Sequence, residues 1–120
     1  MNKISHYQNF IWAKGRPLSE INPGSSEFGL KISDALRAIE LLQGTDVIIV
    51  GGDVLSDESG KLIYTYENWD VEKINKENLT DYANRSYDIA KKYINKISEN
   101  TTTNKLLYIV FVTKSEEGAK

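Results

Sequence analysis

The run LLYIVFV, residues 106–112, is apolar at seven consecutive positions. A strand turns alternate side chains to opposite faces, so a run with no polar alternate needs cover on both and belongs inside a sheet. Seven residues are too few to cross a bilayer, which takes about 20 in a helix. The rest of the chain therefore has to supply neighbouring strands and a covering layer.

The segment before it supplies one layer. Leu79, Tyr82, Ser86, Ile89, Tyr93 and Ile97 step by three or four, and Ala90 and Ile94 widen the stripe. That period predicts an amphipathic helix. Asp81 near its start and Lys91, Lys92 and Lys96 near its end suit the helix dipole, and Thr101 to Asn104 break it. A second helix is predicted over 33–43, with Ser33 as N-cap, Asp34 in the first turn, Leu36, Ile39 and Leu42 as its apolar face, and Gly44 as its stop. Val47 to Leu55 is β-branched and reads as a strand, DESG at 57–60 as a type I turn, and KLIYTY at 61–66 as a second strand with Leu62, Tyr64 and Tyr66 on one face. The long helix then returns the chain to a third strand parallel to the second, lying beside the first and leaving the second at an edge. The expected fold is α+β: a small mixed β-sheet, made of a hairpin and a central C-terminal strand, packed with two main helices in one domain over residues 1–120.

Residues 1–25 are the least readable. Ile4, Tyr7 and Ile11 trace a helical face that Phe10 and Trp12 blur, while KGRP at 14–17 and NPGS at 22–25 punctuate loops. The chain has no cysteine, which removes disulfides, thiolate zinc sites and cysteine nucleophiles together and suits a reducing compartment. The opening MNKISHYQNF lacks the apolar stretch of a secretion signal. A soluble cytoplasmic protein with no membrane association is expected. Net charge is −2, but residues 53–72 carry Asp53, Asp57, Glu58, Glu67, Asp70 and Glu72 against Lys61, a local −5 that argues against nucleic acid as a ligand there.

Gly51–Gly52–Asp53 follows the first strand. A phosphate loop would lead into a helix N-terminus and carry GKS or GKT, but a hairpin turn comes next and neither tripeptide is present. Glycine within a strand more often marks a bulge or a close backbone approach, so Gly51 and Gly52 are assigned a structural bend. Asp53 either caps that bend or faces a partner. As a general acid or base it would need a second titratable group, and the one histidine, His6, lies in the unreadable N-terminal segment. No catalytic residue, metal ligand or cofactor is assigned. The calcium-like DVLSDESG fails, because the twelfth position from Asp53, where a bidentate glutamate belongs, is Tyr64. YTYENWD, residues 64–70, sets Tyr64, Tyr66 and Trp69 among Glu67 and Asp70, downstream of Asp53, Asp57 and Glu58. These eight residues are either aromatic anchors with an acidic rim for a basic protein partner, or, for the aromatics, core residues packed under a helix.

Gly51-Gly52-Asp53-Val54 at a strand end, YENW at 66–69, and YANRSYDIAKKYI at 82–94 followed by YIVFV resemble the immunity protein 40 family of bacterial polymorphic toxin systems. The resemblance spans roughly residues 26 to 112, and the first 25 residues match nothing in it. It implies a cytoplasmic binding protein, not an enzyme, that neutralises the C-terminal domain of a cognate toxin, commonly a nuclease and basic around its active site. Two other readings stand beside it: a small enzyme using Asp53 as acid or base, and an adaptor that takes a peptide on the hairpin edge.

Overall fold

A computed structural model describes residues 3–100 and 106–115. Helix α1 (Lys3–Lys14) leads to the two-residue strand β1 (Arg16–Pro17), a 3-10 turn at Leu18–Glu20 and strand β2 (Phe28–Lys31). Helix α2 (Ile32–Leu42), the hairpin β3 (Val47–Glu58) and β4 (Lys61–Asp70), helix α3 (Leu79–Asn100) and strand β5 (Leu106–Ser115) complete the described chain. No described helix is long and apolar enough to cross a membrane.

The sheet order is β1-β2-β5-β3-β4. LLYIVFV thus occupies the middle strand, with β2 on one side and β3 on the other, as its unbroken apolarity requires. The fold is α+β with an open sheet. Every pairing is antiparallel, so the sheet is not mixed. α3 carries the chain from β4 past β3, and β5 runs parallel to β4 without being its neighbour.

The two faces of β5 are covered differently. Ile109 joins the helix-side core with Leu30, Ile39, Leu42, Ile49, Tyr87 and Ile94, and Leu107 and Phe111 pack against it. Tyr108 and Val110 join a second cluster on the opposite face with Leu18, Leu55 and Leu62. That face is covered by the 3-10 turn, through Leu18 and Ile21, and by nothing longer among the described residues. Cover runs out before the end of the strand, where Val112 is 42% exposed.

Several local expectations shift. α2 begins at Ile32, with extended Lys31 in the cap position and no side-chain cap, so Ser33 is inside the helix. Gly44 does follow its end, at φ +81°. The hairpin is longer than the β-branched run suggests, and its turn is not type I. Glu58 pairs with Lys61, and the two residues between, Ser59 and Gly60, both have positive φ, as a type I′ turn requires. A third helix replaces the unreadable N-terminus: Ile4, Tyr7, Phe10 and Ile11 of α1 all pack against the helix-side core, while Trp12 points outward at 64% exposure. β1 and β2 are additional strands.

Candidate functional site

The hairpin is irregular at two places, and both arise next to residues the sequence singles out. The first is in β3. Ile49 pairs with Thr113 of β5 and Gly51 with Val112, so Val50 is an extra residue and the bend falls one position before the glycines. The freed groups are satisfied locally: Ile49 N–H donates to Ser86 Oγ of α3 at 3.1 Å, Ser86 donates on to the Ala83 carbonyl at 2.7 Å, and Val71 N–H donates to the Val50 carbonyl at 2.8 Å.

The glycines permit close approach. A Cβ on Gly51 would lie 2.5 Å from the Trp69 carbonyl oxygen, and one on Gly52 would lie 2.3 Å from the Trp69 indole. That indole crosses Gly52 on the helix face, 4.8 Å from the Tyr93 ring and 6.3 Å edge-on from Phe111. Trp69 is 9% exposed, and its indole N–H meets no acceptor among the described residues, so packing alone holds the ring. Of the two roles open to Trp69, the structure gives it the core. It is not an accessible anchor.

The second irregularity is in β4. Asp53 pairs with Asn68 but Leu55 pairs with Tyr64, so the single residue Val54 faces three, Thr65, Tyr66 and Glu67. Because β4 is the edge strand, the surplus bulges away from the sheet. Thr65 pins its base, donating its hydroxyl to the Val54 carbonyl at 2.8 Å and accepting from Glu67 N–H at 3.1 Å, while the Asn68 side-chain amide donates to the Tyr66 carbonyl at 3.2 Å. Tyr66 sits at the apex with φ +68° and 89% exposure. The bulge removes it from the face it was expected to share with Leu62 and Tyr64. Tyr64 remains there beside Leu55, 37% exposed, on the side away from the helices.

The acidic residues divide. Asp57 is held inside the chain: Arg16 Nη1 donates to Oδ2 at 2.6 Å, and Gly60 N–H donates to Oδ1 at 2.7 Å, closing the hairpin turn. Arg16 also pairs with Glu20 at 2.9 Å, donates to the Gly60 carbonyl at 2.6 Å and lies over the Tyr108 ring at 5.4 Å. The Arg16 guanidinium, then the Gly60 amide, hold the Asp57 carboxyl below the usual carboxylate range, and Arg16 does the same to Glu20. Glu58 accepts from Ser56 Oγ at 3.5 Å. Asp53 is half-buried between its cross-strand neighbours Asn68 and Val110, neither of which can exchange a proton with it. Asn68 and Asp70 share its face of β4, and Glu67 and Asp70 are exposed. Among the described residues, no group of three His, Cys, Asp or Glu side chains could hold a metal ion.

The structure thus places Asp53, Tyr64 and Asp70 on the outer face of the hairpin, projects Tyr66 from the edge bulge, leaves Glu67 within electrostatic reach of Tyr93 on α3, ties Asp57 to Arg16, and sets Glu58 and Trp69 apart. Arg16 and Thr65 were missed. No spacing rule links Arg16 to an acid 41 positions away, but a threonine between two tyrosines on an edge strand does offer a hydroxyl for a bulge.

A family model described as immunity protein 40 matches residues 17–113. No curated protein and no solved structure matches the chain. The matched span begins nine residues before the stretch whose motifs carry the resemblance, and takes in the 3-10 turn, β2, both bulges and the whole hairpin. Only α1, Gly15, Arg16 and the last two residues of β5 lie outside it among the described residues. With most of its length matched, the chain belongs to the immunity protein 40 family.

Proposed function

We propose that this chain neutralises the C-terminal domain of a cognate polymorphic toxin by binding it through the outer side of the β3–β4 hairpin, with Tyr66 as the anchor. The observation that carries the reading is Tyr66 itself: a tyrosine 89% exposed and held at positive φ on a pinned bulge. Such backbone carries a free-energy cost, and the ring it presents is almost wholly in solvent, which supports a role in contact. Tyrosine gives a large rigid contact area with a polar tip, and Tyr64 extends the aromatic surface. Asp53, Glu67 and Asp70 would steer a basic partner, as a nuclease domain is around its active site. The protein acts by binding and not by turnover, and a cysteine-free chain fits the cytoplasm as the place where the toxin is met.

The test is co-expression with the toxin encoded beside it. The wild-type chain should restore growth and copurify with the toxin domain. Tyr66→Ala should weaken binding by at least about 2 kcal/mol, roughly 30-fold in Kd, with folding intact. Absence of rescue by the wild-type chain would defeat the proposal.

A further inference from the structure

We infer that Tyr66 enters the toxin's substrate cleft, so that the chain inhibits by plugging a site for a phosphate-bearing polymer and not by docking beside it. This rests on the toxin-binding reading above and deepens it.

The argument is one of shape, rigidity and charge. An inhibitor that docks beside an active site can use a flat patch, whereas one that fills a cleft must present something convex. The described surface has one feature of that kind made by an exposed aromatic: three residues of an edge strand standing against a single residue of its neighbour. The projection is pre-organised. Thr65 ties it to Val54, and Asn68 ties the Tyr66 carbonyl, so insertion loses little conformational freedom. Its chemistry is that of a nucleotide in outline: one planar ring on a rigid support, with the Glu67 carboxylate next in the chain and, beyond the bulge, Asp53 and Asp70 sharing one face of the hairpin. A cleft that stacks a base and neutralises phosphates with Lys and Arg would receive a tyrosine and carboxylates by the same contacts. A cleft for an uncharged substrate would have no use for the carboxylates.

The experiment places p-benzoylphenylalanine at position 66 of the full chain, irradiates its complex with the toxin domain, and maps the crosslink by mass spectrometry. The expected crosslink falls on toxin residues whose alanine variants abolish killing while the toxin still accumulates. A crosslink on residues dispensable for killing, or no crosslink within a copurifying complex, overturns the plug and leaves immunity standing. Failure to copurify or rescue at all is instead failure of the toxin-binding reading. In parallel, a killing-deficient toxin variant is offered bulk tRNA or a double-stranded DNA oligonucleotide at low salt. One of them should bind it, and saturation should raise the apparent Kd for the wild-type chain by at least about tenfold. A ternary complex, or a toxin that binds neither polymer, overturns the inference.

Discussion

Tyr66 and Gly52 show at single residues how the hairpin divides between contact and core. A non-glycine residue at positive φ gives up about 1–2 kcal/mol of backbone free energy. Tyr66→Gly should therefore leave the free protein as stable or raise its stability by up to about 1 kcal/mol in urea denaturation, while weakening toxin binding at least as much as Tyr66→Ala does. A purely structural tyrosine would move both quantities the same way. Gly52 is the opposite case. An added methyl would meet three carbons of the Trp69 indole at 2.3–2.8 Å, and the ring is boxed by Tyr93 and Phe111. Gly52→Ala should cost about 1–3 kcal/mol of stability by overpacking, read as a lower urea midpoint. The sequence disclosed that the glycines were no phosphate cradle. It left Trp69 open between core and surface, because alternation along β4 is interrupted by a two-residue surplus that no local pattern announces.

Among the elements, those defined by their own period were legible, and those defined by a distant partner were not. α2, α3, β3, β4 and β5 follow from apolar spacing within each segment. β1 and β2 are two and four residues long and exist through pairing, Arg16 with Gly29 and Leu30 with Ile109. No window of sequence contains that information. The connection from β4 to α3 is similarly built at a distance. Arg85 of α3 pairs with Glu77 at 2.8 Å and donates to the Glu72 carbonyl at 2.6 Å, while Tyr82 donates to the Val71 carbonyl at 2.7 Å. Arg85, and secondarily the Ile74 amide, bring the Glu77 carboxyl from 4.5 down to about 2 against its own desolvation. A carboxyl depressed in the folded state contributes stability above its unfolded value and loses that contribution as pH falls through the folded one. Glu77→Gln should accordingly flatten part of the fall in denaturation midpoint between about pH 4.5 and about pH 2. An unchanged acid limb would show that this pair does not set it.

At the scale of the whole molecule, α1 and the candidate surface lie at opposite ends of the sheet. α1 packs on α2 and β2, whereas Tyr66 is on β4, beyond β5 and β3. α1 also precedes the span shared with the family. Removing residues 1–14 should lower the melting temperature, since Ile4, Tyr7, Phe10 and Ile11 leave the core they pack against, yet leave the affinity for toxin within about threefold of the full chain. A large loss of affinity with the fold intact would place α1 in the interface. The same arrangement gives the protein two built-in optical reporters. Its two tryptophans are Trp12, 64% exposed on α1, and Trp69, sealed against Gly52 in the hairpin core. Their surroundings differ: Trp12 is open to solvent and to an added quencher, whereas Trp69 is shielded in the sheet three residues from the projecting tyrosine. A quencher that reaches Trp12 in the folded protein should reach Trp69 only when the hairpin core opens, so melting of the sheet can be followed in a single unlabelled sample.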